Sequence, residues 1–137
     1  WDSHSLNKQG SVSGQLIGGN LAVLQALINT PYDVFKKGII LFIEDIGEPI
    51  YKVQRMLYQL KLSGILPSLK GLIVGQFTNY QPDANFADME TMISTLVAQY
   101  NFPVTFNAPI GHVNNNIPLV IGSKITLSVT EKETSLL

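Results

Sequence analysis

The chain contains no cysteine. That removes a disulfide framework, a thiolate zinc site and a cysteine nucleophile, and it is compatible with a cytoplasmic protein. Charge is scarce: Asp, Glu, Lys and Arg make up 14% of residues, 9 basic against 10 acidic, for a formal net charge of -1. No run of like charges occurs, so there is no electrostatic case for nucleic acid or an anionic membrane surface as a partner. No apolar run approaches the roughly 20 residues that cross a bilayer. The n-region and h-region of a signal peptide are missing. There are 2 histidines, far apart, and the acids are scattered without metal-ligand spacing. Neither G-x-G-x-x-G nor a Walker A motif is present, and there is no internal repeat or low-complexity tract.

What is there is a 137-residue chain, 45% hydrophobic, long enough for one domain with its own core. Residues 1–13 are polar and Gly/Ser-rich. They read as a linker-like leader entering a domain at 14–137, and the chain reads as a piece of something longer. "GQLIGGN" (Gly14–Asn20) predicts a short strand ending in a Gly-Gly turn, with Asn20 as the N-cap of a helix carrying Leu21, Leu24, Leu27 and Ile28. "NTPYD" ends that helix at Thr30-Pro31. Ile39–Ile43 is unalternating and β-branched-rich, as in a strand covered on both faces. After Gly47 and Pro49, the residues Ile50, Val53, Leu57 and Leu60 form one helical stripe. Gly71–Phe77 is a second buried strand. Phe86, Met89, Met92 or Ile93, Leu96 and Tyr100 predict another helix, and "PVTFNAPIGH" a short strand and turn. "IPLVIG" and "KITLSVT", separated by Gly122-Ser123, predict a terminal hairpin. Strands alternating with helices indicate an α/β domain with parallel pairings and an antiparallel end.

Three places could carry chemistry. Glu44 and Asp45 end the strand Ile39–Ile43, where open α/β sheets bind ligands. Adjacent strand residues point to opposite faces, so these acids cannot share a role. One would face a crevice, the other a helix N-terminus or solvent. Spacing alone leans to the plainer reading, two strand-terminal acids with one capping the following helix. His112, in "APIGHVNNN", sits in a Gly- and Asn-flanked loop, and loops carry function. From the residues alone a surface histidine without a role is the favoured reading, and His4 in the polar leader reads as idle. Glu and His are two parts of a nucleophile–base–orienter relay. No serine lies in a nucleophile elbow: "GSVSG" lacks the spacing and the strand-to-helix context. Gly18-Gly19-Asn20 opens a helix and could bind an anion. A tight turn with an Asn cap is the favoured reading.

Four stretches in order, "GQLIGGNLAVLQALINTPYD", "IILFIEDIGEPIYKVQRMLYQLKLSGIL", "KGLIVGQF" and "PVTFNAPIGHVNNNIPLVIG", resemble the C-terminal domain of murein LD-carboxypeptidases, serine peptidases that include the microcin C immunity peptidases. The resemblance covers about residues 10–130. It implies a compact mixed, partly barrel-like sheet with flanking helices, and a Ser–Glu–His triad to which Glu44 and His112 contribute. The serine would sit in an N-terminal nucleophile domain that the 137 residues lack, so the chain alone would be inactive. The resemblance further implies cytoplasmic hydrolysis of murein tetrapeptide at an L-to-D amide, no metal or organic cofactor, and a homodimer. Gly19 and Asn20 become the candidates for lining the substrate cleft. Glu48, Tyr51 and Arg55 read as structural, with Arg55 placed to pair with Glu48 or Asp45. A microcin-type enzyme would need a nucleobase loop, for which "FTNYQPDANF" is the candidate. A non-catalytic peptide-binding domain is the third reading.

Overall fold

The apolar runs do become strands covered on both faces. In the computed structural model, which describes Trp1–Leu137, β1 (Gly10–Asn20), β2 (Ile39–Ile46), β3 (Gly71–Thr78) and β4 (Val104–Thr105) pair in parallel. β5 (Lys124–Val129) pairs antiparallel with β1, and β6 (Thr134–Leu136) antiparallel with β5. The sheet order is β4-β3-β2-β1-β5-β6. The parallel crossovers hold the helices α1 (Leu21–Ala26), α2 (Ile50–Leu62), α3 (Ile65–Ser68) and α4 (Met89–Val97). The domain is a mixed α/β fold with a nearly closed, barrel-like sheet.

The period of two along β2 divides the core in two. Ile39, Leu41 and Ile43 face the helices, where they meet the α2 stripe Ile50, Val53, Leu57 and Leu60. Ile40 and Phe42 face the barrel interior with Leu16, Ile73, Ala108, Ile110, Leu127 and Val129. All of these side chains are buried.

The leader at 1–13 is not a free linker. Gly10 already begins β1, and residues 1–8 tie the two sheet edges together. Lys8 exchanges backbone hydrogen bonds with Val104 of β4, at 2.8 and 3.0 Å. Trp1 donates its main-chain nitrogen to the Thr134 carbonyl of β6 (2.9 Å) and its indole N–H to Thr105 Oγ1 of β4 (3.2 Å). Thr105 and Thr134 share a hydroxyl hydrogen bond of 2.9 Å across the seam. Sheet edges leave unpaired N–H and C=O groups, and a polar segment covers them as well as an apolar one.

Three further expectations are corrected. The Gly18-Gly19 pair makes no turn and stays in β1, paired with Phe42 and Ile43 of β2; a Cβ on Gly18 would lie 2.1 Å from the Phe42 carbonyl oxygen, so only glycine fits that close approach. Helix α1 stops at Ala26, short of Thr30-Pro31: Asn29 is left-handed (φ 60) and donates its N–H to Asp33 Oδ2, a turn that competes with the helix. The expected hairpin about Gly122-Ser123 does not form. Gly122 N–H donates to Leu16 O and Leu16 N–H to Ser123 O, so the turn is tied to β1 and feeds β5 alongside it. Ile117 and Leu119 pack on the interior cluster instead of forming a strand. The terminal hairpin is β5–β6.

Candidate active site

Strand parity assigns the two acids of β2. Glu44 continues the interior face of Ile40 and Phe42, and Asp45 continues the helix face of Ile43. Both are buried, at 6% and 3% exposure. Asp45 is consumed by structure: it accepts from Asn20 Nδ2 (2.8 Å), the Ala22 N–H at the start of α1 (2.9 Å) and its own neighbour Ile46 N–H (2.8 Å). The helix whose N-terminus it satisfies is thus α1, which precedes it, rather than α2, which follows.

Glu44 has one partner. Its Oε2 lies 2.8 Å from His112 Nδ1. The histidine side chain is 49% exposed and the carboxylate 9% exposed. The imidazole therefore has one edge on a buried acid and the other at the surface. Its Nε2 makes no hydrogen bond within the chain, whereas Nδ1 is held by Glu44.

A bulge lets these two meet. Along β2 and β3, Ile43 pairs with Val74 but Asp45 pairs with Phe77, so Glu44 faces two residues, Gly75 and Gln76. A Cβ on Gly75 would stand 2.6 Å from the Ile110 carbonyl oxygen and 3.3 Å from Glu44 Cβ. Only glycine lets the histidine loop approach this closely. Gly111 adopts φ 128, and a Cβ there would lie 3.0 Å from Glu44 Oε2. Its N–H donates to Asn116 Oδ1 (3.3 Å).

The pair opens onto a depression of about 280 Å³ lined by Gly19, Phe42, Glu44, Ile110, His112 and Leu119 among others. Its lining includes no serine, threonine or cysteine. Gly19 contributes only backbone. Asn20 is outside this lining: its amide donates to Asp45 and its Oδ1 accepts from Val23 N–H, capping α1 as predicted. No group of three or more metal-ligating side chains is assembled.

Residues 13–127 match the family described as LD-carboxypeptidase C-terminal domain. The chain belongs to that family. The LD-carboxypeptidase domain is 36% identical to muramoyltetrapeptide carboxypeptidase from Oxalobacter formigenes and superposes on its crystal structure with a TM-score of 0.89, over 99% of this chain and 47% of that one. A probable murein peptide carboxypeptidase of Bacillus subtilis is 34% identical over 125 residues, 90% of this chain and 39% of the relative. A microcin C7 self-immunity protein shares the fold at a TM-score of 0.83 and 24% identity, over 93% of this chain and 38% of that one. The domain thus spans less than half the length of each.

Other expectations for the LD-carboxypeptidase domain resolve locally. Arg55 pairs with neither Glu48 nor Asp45; it lies over the Tyr51 ring (5.1 Å), and Glu48 pairs with Lys52 (3.8 Å). From "FTNYQPDANF", Asn85 and Phe86 line a separate groove of about 350 Å³ between α2 and α4, which shares no residue with the Glu44–His112 depression. Sequence reasoning missed Gln76 and Asn116. A glycine inside an apolar strand signals a bulge, so Gly75 could have directed attention to Gln76.

Proposed function

We propose that this domain supplies the base and its orienting carboxylate to a serine carried by a separate N-terminal nucleophile domain, in an LD-carboxypeptidase that releases terminal D-alanine from murein tetrapeptide. One observation carries the reading: a buried carboxylate 2.8 Å from Nδ1 of a half-exposed imidazole. An ionised Glu44 accepts the Nδ1–H, which fixes the tautomer and leaves the Nε2 lone pair free. Nε2 then takes the serine proton as Oγ attacks the L-to-D amide carbonyl. The C–N bond breaks, the imidazolium returns that proton to the departing amine of D-alanine, and an acyl-serine forms. Water, deprotonated by the same Nε2, attacks the acyl carbon; the C–Oγ bond breaks, the imidazolium returns the proton to the serine, and the tripeptide acid leaves. Glu44 stays ionised throughout and stabilises the imidazolium. The similarity to murein carboxypeptidases supports the substrate class. By the same resemblance the enzyme acts in the cytoplasm during wall recycling, as a homodimer.

The test is substrate choice by the domain joined to a serine-bearing nucleophile domain of the family. Murein tetrapeptide ending in D-alanine should be cleaved at least about 100-fold faster than the same peptide ending in L-alanine. Preferential cleavage of an aminoacyl-sulfamoyl nucleoside would replace this reading with the microcin-type one.

A further inference from the structure

Neither Glu44 nor His112 selects its own place. The chain reaches His112 through Asn107–Gly111, a segment with no strand or helix of its own after β4. What holds this segment is the bulge opposite Glu44. Ala108 N–H donates to Val74 O (3.2 Å), and Gln76 N–H donates to Ile110 O (2.8 Å). The Gln76 side chain then doubles the attachment. Its Nε2 donates to Asn107 Oδ1 (2.9 Å) and to Ala108 O (3.0 Å). Both protons of one amide are thus spent on the stem of the histidine loop. Asn107 stands in a left-handed conformation (φ 56), the place where the loop changes direction. The Gln76 carbonyl oxygen lies 3.1 Å from the Cβ position of Gly111, the residue before His112.

We infer that Gln76 is a positioning residue, whose side-chain amide clamps Asn107 and Ala108 so that the His112 ring is held over Glu44. It hydrogen-bonds to neither side chain of the pair. Its effect runs through the loop: without the two donors, Asn107–Ala108 keeps only backbone anchors, and the imidazole can swing from the carboxylate. A conformational loosening of about 1 Å at a reacting group costs up to about 100-fold in rate. Residues supporting a site from behind typically contribute about 10- to 100-fold. The inference deepens the proposed relay and rests on it for its kinetic consequence, but the clamp itself is testable without any reaction.

The experiment compares wild type, Gln76→Glu and Gln76→Leu in the 137-residue chain by proton NMR. Gln76→Glu keeps the shape and replaces two donors by acceptors facing Asn107 Oδ1 and Ala108 O. Gln76→Leu removes donors and charge alike. Wild type should show a slowly exchanging, strongly downfield His112 Nδ1–H, assigned by its loss in Glu44→Gln. That resonance should vanish or broaden in both Gln76 variants while the melting transition stays cooperative. If Gln76→Glu does not fold, Gln76→Leu decides. In the enzyme joined to a nucleophile domain, Gln76→Leu should lower kcat about 10- to 100-fold with KM unchanged. An Nδ1–H signal as sharp in a folded variant as in wild type overturns the inference. A joined enzyme that hydrolyses no peptide overturns the functional reading instead, and leaves the NMR comparison to judge Gln76.

Discussion

At the scale of single residues, Glu44 and Asp45 separate cleanly although they are neighbours and both are buried. Asp45 has a full set of donors at the start of α1; Glu44 has only His112. Removing each should therefore be felt in a different quantity. Asp45→Ala strands the Asn20 amide and the Ala22 N–H, at a cost of about 1–3 kcal/mol of stability. Glu44→Gln keeps the side-chain volume and should change stability by less than about 1 kcal/mol. Urea unfolding followed by circular dichroism measures both. A larger loss in Glu44→Gln than in Asp45→Ala would reverse the division of roles. The opposite faces of the two acids were legible in the sequence, because strand parity requires them. Spacing alone did not say which acid faced which way, since that depends on where α1 and the histidine loop lie; only the family resemblance singled out Glu44.

Among the elements, those with strong patterns were readable and those defined by contacts were not. The run Ile39–Ile43 and the stripe of Ile50, Val53, Leu57 and Leu60 carry their burial in their spacing, and both form as expected. The Gly18-Gly19 strand and the Gly122-Ser123 turn looked like local signals but answer to distant partners, Phe42 and Leu16. Helix α4 shows local chemistry at work. Asp88 caps it by accepting the Thr91 N–H at 2.6 Å. That bond does most to hold the Asp88 carboxyl below its ordinary value of 3.8, with His4 adding a smaller attraction. The folded state thus favours the carboxylate. The resulting stability is fully present above pH 3.8 and is lost as pH falls through the lowered folded value. Asp88→Ala should cost about 0.5–2 kcal/mol at neutral pH, and the gap to wild type should narrow in acid below that point. Thermal melts at descending pH check this; a gap that widens in acid would contradict it.

Over the whole molecule, the sheet bends until β4 and β6 meet, and the first eight residues lace that seam together. Composition could not disclose this: a polar, Gly/Ser-rich segment reads as a linker until the edges it covers are known. The nearly closed sheet brings β1, β2 and the histidine loop to one depression, where Glu44 and His112 lie among lining residues that include no serine, threonine or cysteine. The domain spans 39% of its Bacillus subtilis relative and 47% of the Oxalobacter formigenes chain, and the proposed relay takes its hydroxyl from another domain. The measurement that bears on this most directly is D-alanine release from murein tetrapeptide by four proteins: the 137-residue chain alone, the chain joined to a serine-bearing nucleophile domain, and that joined enzyme with Glu44→Gln or His112→Ala. The account predicts no release by the chain alone, release by the joined enzyme, and a loss of about 10³- to 10⁴-fold in kcat for either substitution. Release by the chain alone that disappears with Glu44→Gln, or a joined enzyme indifferent to both substitutions, would contradict it.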